Sequence, residues 1–217
     1  MTTCHSGKMT PGFLAVVLIL VLMPWVNVSA QERMQPIPAD KMTEAQKKAV
    51  AEYVGARGTA LTGGPFMVML RIPEVMNLGR LMREHVQFRT VLGQRLTELA
   101  ILITAREWTQ QYEWNAHYAL AIKAGLKQEI ITALAEGRRP EHMAEDEAIL
   151  YDFCVELHRN KSISDSTYAR ALSKFGEEGI VEAATIEGYY ALLAMVMNTA
   201  RTSLPPGATP SLVPFPR

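Results

Sequence analysis

Two cysteines in 217 residues leave little material for thiol chemistry. Cys4 lies ahead of a small-residue processing site and Cys154 stands alone behind it, so an exported mature chain would hold no intramolecular disulfide. Net charge is missing too: 22 basic and 22 acidic residues cancel, which removes the electrostatic reason to expect nucleic acid or an acidic surface as a partner. No stretch alternates apolar and polar residues with the period of a strand, no unit repeats at roughly 20–50 residues, and no phosphate-binding loop occurs. Metal motifs are also lacking, since neither the paired-histidine zinc motif nor a Glu and His three apart on a helix is found. No metal and no organic cofactor are therefore expected.

What is present starts with a targeting segment at residues 1–30. Lys8 gives a weak positive start, residues 13–23 are an unbroken apolar run, and Val28-Ser29-Ala30 forms a small-residue cleavage site before Gln31. A spanning helix needs about 20 apolar residues, so a run this short reads as a cleaved signal rather than an anchor. The expected product is periplasmic or secreted, with no membrane association after cleavage. About 187 residues then remain, enough for one domain with a real core.

Residues 31–63 read as an arm followed by a polar covering helix that Asp40 can cap. Gly58, Gly63, Gly64 and Pro65 break the pattern in a loop that can lie over a site. A helix from Pro73 follows, with Val75, Met76, Leu78, Leu81, Met82, Val86 and Phe88 as its apolar side. Further on, Cys154 sits in an apolar helical repeat as a buried, inert thiol, and His158 and Arg159 match the dipole at that helix's end. Gly176 stops the next helix. The last one, at about residues 177–202, is long and apolar enough for a central element or a subunit contact, and Gly188 marks a close backbone approach. Residues 204–217 form a proline-rich tail that cannot continue a helix. Every periodic segment has helical spacing, which predicts an all-α fold.

The most informative stretch is 94–125, where ionisable groups interrupt an otherwise apolar pattern. Two helices fit, at about residues 94–108 and 111–124, the second closed by Gly125. The first is apolar nearly all round, so it belongs in a core, and Glu98 on it must find a partner or stay protonated with a raised pKa. On the second, Glu113 and His117 are four apart and share a face. Packed antiparallel, the two helices bring three proton-exchanging groups together. The bland alternative makes Glu98 a structural acid, paired with Arg106 or a backbone group, and His117 a satisfied core histidine.

The residues Glu98 to Leu102, Ala105, Arg106, Tyr112 to Trp114, His117, Ala121, Ala124 and Gly125 resemble the core of the carboxymuconolactone decarboxylase family, which includes the AhpD-like alkylhydroperoxidases. The resemblance covers residues 64–203. It implies an AhpD-like bundle of about six to eight helices that assembles as a homo-oligomer, trimer or hexamer. In the thiol branch of that family a Glu precedes a Cys-x-x-Cys pair, and a His follows four residues after the second Cys. Here the cysteine positions fall on Gln110 and Glu113, while Glu98 and His117 keep theirs. Without two sulfurs no disulfide cycle can run.

What remains implies a cofactor-independent lyase that uses Glu/His acid–base chemistry on a small carboxylated lactone or oxo acid. His117, Glu113 and Glu98 are its candidate catalytic residues, with His117 delivering a proton, Glu113 orienting it and Glu98 donating to developing charge. Arg89, Arg106, Tyr112, Trp114 and His85 are candidates to bind substrate, and Arg95 is near enough in sequence to join them. The competing expectation is an AhpD-like antioxidant relative or a non-catalytic binding protein. Mass spectrometry of exported protein should find Gln31 as the first residue; an intact Met1 in that material would remove the signal-peptide reading.

Overall fold

A computed structural model describes residues 1–3 and 31–213; the expected signal segment lies almost wholly outside them. Its regular structure is eight helices: α1 (Glu44–Arg57), α2 (Gly64–Met69), α3 (Pro73–Phe88), α4 (Gly93–Glu107), α5 (Gln111–Lys123), α6 (Gln128–Ala135), α7 (Glu145–Asn160) and α8 (Asp165–Ala200). No strand occurs among the described residues, and the all-α expectation holds.

The centre of the fold is α4, buried along the whole of residues 96–106. A helix without a polar face gains most by being covered on every side, and α3, α5, α6, α7 and α8 all pack against it. Leu99, Ala100, Ile101 and Leu102 have no exposed surface. The long terminal helix α8, expected as a central element or a subunit contact, flanks α4 and also contacts α2, α3 and α7. Gly176 within it has φ 68 and ψ 179, a conformation open to glycine. The expected stop is therefore a corner, after which the helix resumes.

Several local expectations are corrected. The cap of α1 is Thr43, whose hydroxyl accepts from the Gln46 amide while Gln46 Oε1 accepts from the Thr43 amide; Asp40 lies in a preceding 3-10 turn at Ala39–Lys41. Nothing crowds Gly188. The close approach is at Gly179, where a Cβ would stand 2.6 Å from that of Phe175. The apolar side of α3 is split: Met76 and Val86 are buried, while Val75, Leu78, Leu81, Met82 and Phe88 are exposed. The tail returns to the core, with Leu212 buried and Gln111 bonded to the backbone of Ser211 and Leu212.

His158 lies in the last turn of α7, as expected, and its ring packs inwards against α4. Thr104 donates its hydroxyl to the Ala100 carbonyl at 3.0 Å and accepts from His158 Nε2 at 3.2 Å, and burial lowers the imidazole pKa. Glu187 from α8 lies 3.7 Å from the same Nε2, beyond hydrogen-bond reach. Burial pushes its carboxyl up to about 8 and also pushes the neighbouring Cys154 thiol well above its ordinary range. Cys154 is fully buried and lacks the thiolate character that reactivity requires.

Because Glu187 is neutral in the folded state, only the unfolded chain ionises it between pH 4.5 and about 8, so this group's contribution to stability falls as pH rises through that window. Glu187→Gln should flatten the slope. Its stability relative to wild type, read from urea unfolding, should improve steadily from acid to mildly alkaline pH; parallel profiles would show that Glu187 does not titrate as its burial demands.

Candidate active site

The end of α4 and the start of α5 set the geometry. Gln110 caps α5, its side-chain oxygen accepting from the Tyr112 amide at 2.7 Å while its amide donates to Asn198 at 2.8 Å. With α5 anchored there and packed on α4, His117 Nδ1 meets Glu98 Oε2 at 2.7 Å. Both side chains are buried. The partner of Glu98 is thus His117 and not Arg106, and Nε2 is the ring nitrogen left for a ligand. The Tyr190 ring stands edge-on to the imidazole with centroids 5.1 Å apart, which limits its tilt.

Glu113, one turn before His117, is in a different position. It is 3% exposed and neither carboxyl oxygen has a hydrogen-bond partner in the protein. Burial alone pushes its pKa well above the ordinary carboxylate range, which favours the neutral, protonated acid. The carboxyl left protonated is therefore Glu113, whereas the one that orients the histidine is Glu98, the reverse of the roles expected from the sequence. The Tyr190 hydroxyl also lacks a protein partner, and burial first of all pushes that phenol well up.

Glu113, His117 and Tyr190 share a cavity of about 170 Å³ with Tyr53, Phe66 and Tyr112. Gly63 and Gly64 pass over the Tyr112 ring. At Gly64, φ is +73 and a Cβ would stand 2.8 Å from that ring, so the expected loop does lie against the site and needs its glycine. Two guanidinium groups complete the lining, Arg57 from the last turn of α1 and Arg83 from α3. Arg83 lies 5.0 Å from the Phe88 ring centroid, and desolvation followed by repulsion from Arg57 lowers its pKa. Both remain cations, as arginines do in proteins. Glu98 does not line this cavity; it borders another, of about 340 Å³, with Gln87, Gln94 and Lys123.

Of the expected binding residues, Tyr112 lines the first cavity and the others are engaged elsewhere. Trp114 is a core residue. His85 pairs with Glu182 at 3.0 Å, and that carboxylate also accepts from the Val91 amide at 2.7 Å. Arg89 donates to the Glu84 carbonyl, Arg95 pairs with Asp146 and Glu147 on α7, and Arg106 donates to the Val213 carbonyl in the tail. Sequence reasoning passed over Arg57, Arg83 and Tyr190. For Arg83 a signal existed: it falls seven residues after Met76 and four before Gln87, hence on the inner stripe of α3. Among the described residues no three His, Cys, Asp or Glu side chains group to hold a metal ion.

No protein-family model matches this sequence, and no curated protein sequence matches it. Solved structures do match by shape. An uncharacterized peroxidase-related protein with an alkylhydroperoxidase AhpD core, from Ralstonia eutropha JMP134, superposes with a TM-score of 0.65 at 13% identity, covering 81% of this chain and 93% of that one. A cysteine-to-alanine variant of the debrominase Bmp8, in complex with 2,3,4-tribromopyrrole, gives 0.62 at 11% identity over 81% and 95%. A peroxidase-related protein from Silicibacter sp. TM1040 gives 0.63 at 14% over 79% and 91%. At such identities the likeness speaks for the backbone and not for the chemistry: the chain has the AhpD-like helical fold.

Proposed function

We propose that the cavity at Glu113 and His117, with Glu98 behind the histidine, is the active site of a thiol-independent, cofactor-independent lyase that moves protons on a small carboxylated lactone or related oxo acid. One observation carries the reading: a buried carboxylic acid, Glu113, shares one small cavity with His117, whose ring is held from behind by its hydrogen bond to Glu98. Two carboxyl groups whose surroundings set them apart are the usual material of acid–base catalysis. The thiol route has no support, because Gln110 and Glu113 hold the cysteine positions and the buried Cys154 is not part of the cavity.

In the proposed reaction the bond from carbon to the departing carboxylate breaks, and its electron pair runs towards the substrate carbonyl to give an enolate as carbon dioxide leaves. Glu113 and Tyr190, as neutral donors, hydrogen-bond the developing oxyanion. The enolate carbon then takes a proton from His117 Nε2, while Glu98 keeps the proton on Nδ1 and stabilises the imidazolium that precedes transfer. A proton from solvent restores the imidazolium.

The test is turnover on a panel of lactone acids and 3-oxo acids, with a dithiol-dependent peroxide assay beside it. His117→Ala should lower turnover at least about a hundredfold, the scale of a lost general acid, with helical content unchanged. Glu113→Gln, which still donates a hydrogen bond, should stay within about tenfold of wild type, whereas Glu113→Leu should lose about a hundredfold or more. Full activity in both His117→Ala and Glu98→Gln, or peroxide turnover abolished by blocking Cys154, would defeat the assignment.

We also propose that the protein is exported and acts as a homo-oligomer. Exposed Ile72, Val75, Leu78, Leu81, Leu192 and Met195 on α3 and α8 and the turn before α3 support the second part, since large apolar surface left open on a monomer usually marks a contact. Sedimentation equilibrium should give a trimer or hexamer that Leu78→Glu dissociates, and a wild-type monomer would refute this part.

A further inference from the structure

We infer that the cavity is an anion site in which Arg57 and Arg83 hold the carboxylate of the substrate, while Glu113 and Tyr190 face its carbonyl oxygen. The inference rests on the proton-transfer reading for the identity of the substrate, but not for the existence of the site.

The argument comes from what the cavity leaves unmatched. Glu113 and Tyr190 are both almost fully buried, both line the space, and neither has a protein partner. As a neutral acid and a phenol, both can donate. Arg57 and Arg83 can only donate. The polar groups that wait for a ligand here are therefore donors, and the complementary ligand is rich in acceptors. A neutral apolar ligand would leave those donors unsatisfied, which buried polar groups rarely are.

Charge narrows the choice further. Arg57 lines the same cavity as Arg83 and stands close enough to disfavour the charge on Arg83. Glu84 reaches Arg83 Nη1 only at 3.8 Å and is the weakest of the influences on it. Arg57 rests on the Tyr53 ring at 5.2 Å, and no carboxylate among the described residues lies within 4.0 Å of it. Two adjacent guanidinium groups short of counter-charge suit a carboxylate, which each can bind in a forked geometry. The volume, about 170 Å³, is well below the roughly 300–1,000 Å³ of pockets for drug-sized ligands, so the ligand is a single small ring or short chain. Arg89, Arg95 and Arg106, the arginines closer to the motif in sequence, are committed to other partners.

Calorimetric titration of the full chain with 5-oxotetrahydrofuran-2-carboxylate, acetate and benzoate, and with the carboxamide of the first, tests this directly. The lactone carboxylate should bind at least about tenfold more tightly than its carboxamide, with affinity falling as salt is added. Arg83→Gln and Arg57→Gln should each weaken carboxylate binding by about tenfold or more and leave the carboxamide unaffected, and Arg83→Lys should recover part of the loss. Arg57, half-buried at the end of a covering helix, can be changed with little risk to folding. His117→Ala should keep the preference for carboxylate over carboxamide even where it turns nothing over, which separates failure of the anion site from failure of the catalytic reading. Equal affinity for carboxylate and carboxamide, unchanged affinity in both glutamine variants, or no saturable binding of any of the three acids would overturn the proposal.

Discussion

Glu98 is carried by a helix that is covered on all sides, and a carboxyl group there has no access to bulk water. Ionised and alone, it would cost several kcal/mol to bury, more than a domain of this size can spare from a total stability of about 5–15 kcal/mol. The hydrogen bond at 2.7 Å from His117 meets that demand, and it does so from the neighbouring helix. Much else follows from this contact. It fixes the rotation of α5 about its axis, and one turn back that rotation aims Glu113 into the cavity. It also fixes which imidazole nitrogen is free. The Tyr190 ring and the Gln110 cap hold the arrangement from two further directions.

The two glutamates show how one fold gives the same side chain two different surroundings. Glu98 has a histidine at hydrogen-bond distance; Glu113, four residues from that histidine on the same helix, has no partner and is pushed well up by burial. An unsatisfied buried acid destabilises a protein, and such groups persist mainly where a ligand answers them. Glu187 is the counter-example within this chain. It too is buried with a raised pKa, yet it sits against Cys154 and His158 and lines none of the cavities described here. A perturbed pKa alone does not distinguish a site from core packing, whereas a perturbed pKa at the wall of a cavity is a better guide.

The sequence made α4, α5 and their three ionisable residues legible because each signal was local: an apolar run without a polar face, a four-residue spacing, a glycine at the end. The helices at 94–108 and 111–124 were placed to within about a residue, within the usual blur of helix ends. Local pattern failed where a side chain's direction depended on distant elements. Five of the seven residues of the apolar stripe of α3 turned outwards, and only Met76 and Val86 found places in the core. His158 read as a helix-end charge because nothing in its own helix reveals Thr104 and Glu187 across the interface. The roles of Glu98 and Glu113 were exchanged for the same reason: spacing along α5 put Glu113 beside His117, but α4 delivered the nearer oxygen.

The cavity's character comes largely from outside the recognisable motif. Glu98, Glu113 and His117 belong to α4 and α5, the part that resembles a known family, whereas Arg57 and Arg83 belong to α1 and α3. A chain with no net charge thus places two cations in the lining of one small cavity, where low dielectric makes them count most. Proteins with peroxidase-related and debrominase labels share this backbone at 11–14% identity, so the fold by itself does not choose a reaction. In such a scaffold the paired helices can supply the proton-handling groups while the covering elements decide which molecule is presented to them. Here those elements contribute donors and positive charge. Donors and positive charge are the complement of an electron-rich, anionic molecule.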